Sequence, residues 1–450
     1  MEEKKGFTGR IGFVLAAAGS AVGLGNLWRF PYLAAHYGGG TFLLVYLILA
    51  VTFGFALMLT EIAIGRKTGK SALGAFGALN GKYRWIGYVA CSVPILIFPY
   101  YCVIGGWVIK YVAAFLTGGG LQTTTEGYFD RFLSENWEPV LYLSVFIVLT
   151  TGIVMMGVQK GVEKVSKILM PLLILLSVGI AVYGITREGA MAGVVYYLKP
   201  DFSKFSAGLL LSALGQLFYS MSLAMGIMIT YGSYLGKDTQ LESSVRQIEI
   251  CDTAIAILSG FIIIPAVFAF SGGDESVLSS GPSLMFITLP KVFENMALGD
   301  FMGALFFLLV LFAALTSAIS MMETLVSFLI EATGMQRIKI CILIAGLSWL
   351  FALPSVLGFG VWKNIQILGF SILDFLDFLS NSLLMPIVAF LTCIFVGYII
   401  KPKVIVEEVA FSSEFKGAKL YEVIIKYVAP VFILLILGSS VLKGMGVVEF

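Results

Sequence analysis

Charge is what this sequence has least of. Only 12% of its 450 residues are Asp, Glu, Lys or Arg, 59% are hydrophobic, and the mean hydropathy is +0.96. A water-soluble domain usually carries about twice that charged fraction, so a soluble globule is excluded. A single histidine, His36, supplies no imidazole cluster for a transition metal, and a net charge of +2 offers nucleic acid no counter-charge. The five cysteines (Cys91, Cys102, Cys251, Cys341, Cys393) all lie in apolar runs and form no Cys-x-x-Cys pair, as packing residues would. No nucleophile–base pair stands out, which makes an enzyme the least favoured class.

Uninterrupted apolar sequence is what remains. Phe42–Met58, Leu141–Met156, Leu169–Val182, Phe301–Leu315 and Val431–Val441 are nearly free of charge. With modest extension each reaches the ~20 residues that carry a helix across ~30 Å of hydrocarbon. The alternating pattern of a membrane barrel is missing. The expectation is an all-α polytopic membrane protein with eleven segments, beginning near residues 10, 40, 85, 139, 164, 205, 242, 298, 337, 371 and 421.

Basic residues in short loops set the expected orientation. Arg66, Lys67, Lys70, Lys82 and Arg84 fall on the same side as Lys160, Lys164 and Lys167, and as Lys4, Lys5 and Arg10. Acidic loops with Glu126, Asp130, Glu135 and Glu138, and with Asp274 and Glu275, fall on the other. The N-terminus is therefore expected in the cytoplasm, the C-terminus outside, and the chain in the cell membrane.

Segments one and six carry the unusual residues. The first contains Gly19, Gly23 and Gly25 within seven residues; the sixth contains Ser220, Ser222 and Gly226 at mid-membrane depth. Glycine inside a helix costs about 1 kcal/mol against alanine, and serine offers the backbone competing hydrogen bonds. Both are candidates for broken helices, although Gly19 and Gly23 also fit close helix packing. Non-helical backbone survives in a membrane only where protein or a wet site satisfies it. Two breaks five segments apart lie in opposite orientations, as in two inverted repeats. The expected division is a short N-terminal segment (1–9), a first five-helix repeat (10–185), a second (205–399) and an eleventh helix (421–444).

Broken helices at mid-membrane present helix ends and loose carbonyls, which suit a carboxylate and a small hard cation. Asn26, Ser220, Asp252, Thr316 and Ser317 bring side-chain oxygen into apolar helices. The hydroxyls alone also fit helix-to-helix hydrogen bonding. Asp252 heads a run continuing to Phe270, where an ionised carboxylate needs a cation, a proton or nearby water. Glu61, ending the second segment, fits either a structural or a functional role.

At these residues the sequence resembles the neurotransmitter:sodium symporter family. The resemblance rests on Arg10-Ile11-Gly12-Phe13, on Ala21 through Tyr32 with Gly38-Gly39-Gly40 after it, and on Glu61 through Arg66. It continues through Lys160 to Lys164, Gly215-Gln216 with Ser220 and Ser222, and Leu315-Thr316-Ser317, covering nearly the whole chain. It implies the shorter bacterial branch, with a LeuT-type 5+5 inverted repeat, eleven transmembrane helices and breaks in helices 1 and 6. The implied activity is sodium-coupled import of an amino acid by alternating access, with two sodium ions as co-substrates.

Site roles follow from the resemblance. The first sodium would meet the Ala21 carbonyl, Asn26, Ser220, Asp252 and the substrate carboxylate. The second would meet carbonyls of Gly19, Val22 and Ala313 with the hydroxyls of Thr316 and Ser317. The substrate carboxylate would lie at Gly23, Leu24, Gly25 and Tyr101, and its amine near Ala21, Tyr219, Ser220 and Ser222. Ser20, Ile97, Ala224, Met225, Ser317 and Met321 would line the side-chain pocket. With no acid or base among them, a neutral and mainly hydrophobic L-amino acid is expected. Arg29 and Asp377 would form the outer gate beneath which Tyr101 and Tyr219 close, and Lys4 with Glu331, near Tyr234, the inner gate. The family more often has arginine where Lys4 stands, which removes a bidentate pair.

Animal members bind a chloride near the first sodium, whereas bacterial members carry a carboxylate. One bacterial pattern has it at the position of Ala256; here the acid is Asp252, expected beside Tyr46, Gln216 and Ser220. Transport would then be chloride-independent, and a proton taken up by Asp252 after sodium leaves would travel back. Two other readings stay open: a sodium symporter of the same fold for a small amine or osmolyte, and a sensor that binds an amino acid without moving it. The preferred amino acid, the stoichiometry and the oligomeric state are not legible.

Overall fold

Residues 6–135, 137–272, 282–296 and 298–444 are described by a computed structural model. The principal helices are α1 (Arg10–Ala21), α2 (Gly25–His36), α3 (Gly40–Thr68), α4 (Gly81–Leu116), α5 (Glu138–Met155), α6 (Val158–Ile185) and α7 (Ala207–Ser220). They continue with α8 (Ile227–Gly232), α9 (Leu241–Ser271), α10 (Gly299–Thr333), α11 (Arg337–Leu357), α12 (Ile372–Ile399) and α13 (Ala418–Leu442). Among the described residues nine helices are long and apolar enough to cross a membrane, and α1 with α2, bent by 55° at their break, makes a tenth. The 14 residues of α7 rise only about 21 Å. With the turn after Ser220 and α8 the segment gains the remaining length, so the architecture agrees with eleven crossings.

α1, α3, α8 and α9 pack together at the centre, with α6 and α10 against α1 and α4 against α10. The peripheral helices α5, α6, α11 and α13 expose side chains such as Val148, Leu175, Phe351 and Val431, each more than half accessible. Apolar side chains facing outward are what a hydrocarbon solvent requires. Closeness at the centre depends on small residues: a Cβ at Gly65 would fall 1.9 Å from the Ile229 carbonyl oxygen, and one at Gly232 2.3 Å from that of Ile62. These two glycines let α3 and α8 approach backbone to backbone.

Both breaks occur where the glycines and serines predict them. α1 ends as Val22 turns extended (φ −70°, ψ 106°), and helix resumes at Gly25. The second break, Met221–Gly226, contains two non-glycine residues in the left-handed region, Ser222 (φ 52°) and Ala224 (φ 61°), before Gly226 (φ 71°). Each non-glycine residue held there costs of order 1–3 kcal/mol. Compensation comes from the Ser222 hydroxyl, which donates to the Ser20 carbonyl (2.9 Å), and from the Ala224 N–H, which donates to Glu61 Oε1 (2.7 Å). Glu61 is buried, and its role here is to hold the broken backbone of the sixth segment.

At the end of the bundle carrying residue 10, Arg66 is buried and donates through Nε to Glu408 Oε1 (2.9 Å), through another nitrogen to the Glu408 carbonyl, and to the Thr239 carbonyl (2.6 Å). Glu408 lies on the short helix Lys403–Ala410 between α12 and α13 and also pairs with Lys237 (2.7 Å). One arginine thus joins α3, the α8–α9 loop and the α12–α13 linker. At the opposite end Phe286 sits among the rings of Trp28, Trp107, Tyr111, Phe129 and Phe307, and the Tyr111 hydroxyl donates to the Phe286 carbonyl (2.7 Å).

Candidate functional site

The two breaks face each other and enclose a cavity. Its lining comprises Ser20, Ala21, Gly23, Leu24, Gly25 and Asn26 from the first break, Tyr219, Ser222, Met225 and Ile227 from the second, Ile97 and Tyr101 from α4, and Ser317 and Met321 from α10. No lining side chain is charged. α2 starts at Gly25, so the positive end of its dipole opens beside Leu24 and Gly25, where a carboxylate is favoured. The Tyr101 hydroxyl is buried beside the Leu24 backbone and Ser317 and, among the described residues, has no close hydrogen-bond partner. The Tyr219 ring lies directly over Gly25, where an added Cβ would fall 2.3 Å from Cδ1.

Next to the cavity, Asp252 is fully buried on α9. Its Oδ1 accepts from Asn26 Nδ2 (2.8 Å) and the Ser220 hydroxyl (2.9 Å), and its Oδ2 lies 3.5 Å from the Tyr46 hydroxyl. Asn26 Oδ1 in turn accepts from the Gly23 N–H (3.0 Å), which fixes the amide's orientation. Every one of these partners of Asp252 is neutral. An ionised carboxylate with neutral donors only is costly in a dry interior, and a small cation among the Ala21, Asn26 and Asp252 oxygens would offset that cost.

A second oxygen cluster lies between α1 and α10. The Ser317 hydroxyl is 3.1 Å from both the Ser20 and Val22 carbonyls and 3.4 Å from that of Gly19. The Thr316 hydroxyl lies 3.1 Å from the Ala313 carbonyl. Gly19 packs against Thr316, an added Cβ falling 3.2 Å from that side chain's Cβ, so the two sets adjoin. Uncharged carbonyls and hydroxyls at this density suit an alkali cation rather than a transition metal. Met170 of α6 closes the cluster, its Sδ 3.3 Å from where a Cβ on Gly19 would stand.

Several expected residues stand elsewhere. Ser220 does not line the cavity; it belongs to the Asp252 network. Ala224 is also absent from the lining, since its backbone is turned to Glu61, and Ile227 takes a place in the wall that the sequence did not suggest. Gln216 donates to the Gly25 carbonyl (3.0 Å) rather than to Asp252. Arg29 lies over the Tyr219 ring at 5.6 Å and forms no ion pair with Asp377, which instead accepts from Tyr100 and Asn381. Lys4 is outside the described residues. Glu331 accepts from the Ser71 N–H (2.9 Å) and hydroxyl (2.6 Å), whereas the Tyr234 hydroxyl donates to Glu323 (2.8 Å), itself paired with Arg337. Glu323 was detectable in sequence as an acid deep in the apolar run of α10; its partner, on the next helix, was not.

Two broken helices around an uncharged, half-helix-capped cavity with oxygen clusters at its edge define a secondary transporter. The family model described as the Sodium:neurotransmitter symporter family matches residues 4–125 and 129–447, and the chain belongs to that family. It is 34% identical to an uncharacterised sodium-dependent transporter of Haemophilus influenzae over 98% of both chains, and 33% identical to the sodium-dependent transporter YhdH of Bacillus subtilis, again over 98% of each. Among solved structures it is similar to MhsT in complex with L-phenylalanine, at 36% identity and a TM-score of 0.88, covering 97% of this chain and all of that one. It is accordingly a sodium-dependent transporter with the LeuT-type fold, and not an enzyme.

Proposed function

We propose that the protein imports a neutral, mainly hydrophobic L-amino acid together with sodium by alternating access. The observation that carries this reading is the cavity itself, which has a helix N-terminus and a tyrosine hydroxyl at one end and Ile97, Met225, Ile227 and Met321 in its walls. A zwitterion's carboxylate would meet the Leu24–Gly25 backbone, Tyr101 and the first sodium; its ammonium would meet carbonyls around Ala21 and Tyr219. A charged side chain would be buried without a partner. The MhsT complex with L-phenylalanine supports an amino acid as cargo.

The two oxygen clusters are the proposed sodium sites: Ala21, Asn26, Ser220 and Asp252 for one, Gly19, Val22, Ala313, Thr316 and Ser317 for the other. Asp252 supplies the fixed negative charge, which makes transport independent of chloride. When sodium leaves, the carboxylate keeps only neutral donors and takes a proton, which returns with the empty carrier. The cytoplasmic N-terminus, external C-terminus and the two five-helix units 10–185 and 205–399 belong to this same reading. Arg29 and Asp377 are the outer gate.

The test is uptake of labelled neutral amino acids into proteoliposomes under an inward sodium gradient, with potassium as control and gluconate replacing chloride. Concentrative uptake that needs sodium but not chloride is expected. Binding without accumulation overturns the transport reading, and uptake stimulated by chloride overturns the role of Asp252.

A further inference from the structure

α9 carries a second buried acid one turn from Asp252. Glu242, Arg246, Glu249 and Asp252 follow one another at spacings of four, three and three residues, so they form one stripe along the helix from the end that begins at Leu241. The outer part of the stripe is paired. Arg246 donates to Glu242 Oε1 through Nη2 (3.0 Å) and Nε (3.3 Å), and its guanidinium lies over the Phe55 ring of α3 at 4.8 Å. Glu249 is not paired. It is 5% accessible, and among the described residues its carboxyl has neither a hydrogen bond nor an ion pair.

α3, packed on this stripe, offers Glu249 no donor. Its contacts bracket the acid: Phe55 meets Arg246, and the Tyr46 hydroxyl lies 3.5 Å from Asp252 Oδ2. Between them, Leu47 to Gly54 contains one polar side chain, Thr52, whose hydroxyl donates to the Ile48 carbonyl of its own helix (2.6 Å). Arg246 and Asp252 are the charged groups near enough to act on Glu249, and Tyr46 is near enough to sense both acids. The Arg246 side chain is half exposed and already shared with Glu242, while Asp252 is a like charge. Glu249 stands about 12 Å along α9 from Leu241. A charged acid at that depth, without a donor and beside a like charge, is costly unless a cation comes within range.

We infer that Glu249 is a long-range acid of the first sodium cluster: its negative charge adds to that of Asp252, and sodium held at Ala21, Asn26, Ser220 and Asp252 is the cation that offsets both. The inference rests on the reading of that cluster as a sodium site. Glu249 does not touch the ion. It acts through space, where the low dielectric of a packed interior keeps charges one helical turn apart in strong interaction. Its effect therefore has opposite signs in the two forms of the carrier. Without sodium, Glu249 repels Asp252 and destabilises the fold; with sodium, it strengthens binding. A side chain that merely fills space would support both forms alike.

The experiment uses the full-length protein in lipid nanodiscs, with radioactive sodium chloride as probe and potassium chloride holding the ionic strength constant. Glu249→Gln is expected to weaken equilibrium binding of one sodium ion about tenfold, as the loss of one through-space attraction would. The same variant is expected to melt at a higher temperature than the wild type in potassium alone. Glu249→Asp keeps the charge and restores most of the sodium affinity. Asp252→Asn tests the underlying reading separately, and must weaken sodium binding at least as much as Glu249→Gln does. If it does so while Glu249→Gln leaves sodium affinity unchanged, or lowers the melting temperature in potassium, the inference is overturned and the sodium site stands. If Asp252→Asn leaves sodium binding unchanged, the first cluster is not a sodium site and the inference falls with it.

Discussion

Asp252 carries the only charge in a network otherwise made of amides and hydroxyls. Asp252→Asn keeps its shape and removes that charge. The expected outcome is uptake that falls at least tenfold in chloride-free medium and recovers partly when chloride is added, with loss of counter-moving protons measured by a dye trapped in the vesicles. Chloride indifference in the variant would disprove the substitution of one anion for another. Glycines separate as sharply. Gly25→Ala places a methyl group 2.3 Å from the Tyr219 ring, so the ring must move and KM for L-phenylalanine is expected to rise at least tenfold. Gly346→Ala, in α11 with nothing within 4 Å, is expected to raise stability by up to about 1 kcal/mol in a thermal-shift assay.

Whole helices are joined by single charges in this fold. Glu408→Ala leaves Arg66 buried without its carboxylate, a change that typically costs about 3–5 kcal/mol. A large fall in melting temperature is expected, and Arg66→Met combined with Glu408→Leu should recover most of it. If the double variant is as unstable as Glu408→Ala, the defect is one of packing and not of unpaired charge. Element positions were largely legible in the sequence because helix ends in a membrane coincide with changes in hydropathy. The segments expected near 139 and 337 begin at Glu138 and Arg337. The one expected near 164 begins at Val158, because Val158–Glu163 is helical although its glutamine, lysine, glycine and glutamate hide it from a hydropathy signal. The breaks were legible for a local reason, their glycines and serines. The partners of Asp377 were not, since Tyr100 lies 277 residues away and only the packing of α4 on α12 brings it close.

On the scale of the molecule, ion binding and folding are one equilibrium. Sodium that binds the folded carrier and not the unfolded chain stabilises it by RT ln(1 + [Na+]/Kd), about 2.7 kcal/mol at a hundredfold excess over Kd. The melting temperature in detergent is therefore expected to rise with sodium and not with potassium, and Thr316→Ala with Ser317→Ala should flatten the response. A melting temperature indifferent to sodium would contradict the ion sites, whatever uptake shows.

The Arg66–Glu408 junction also has a consequence in time. The two residues are 342 positions apart, and at a synthesis rate of about 5–20 residues per second roughly 17–68 s separate their emergence from the ribosome. Until Glu408 is made, Arg66 has only the Thr239 carbonyl of this junction, and burying its charge without the carboxylate is costly. A chain truncated before Glu408 is therefore expected to lack the lock at this end and to be cut faster there in limited proteolysis.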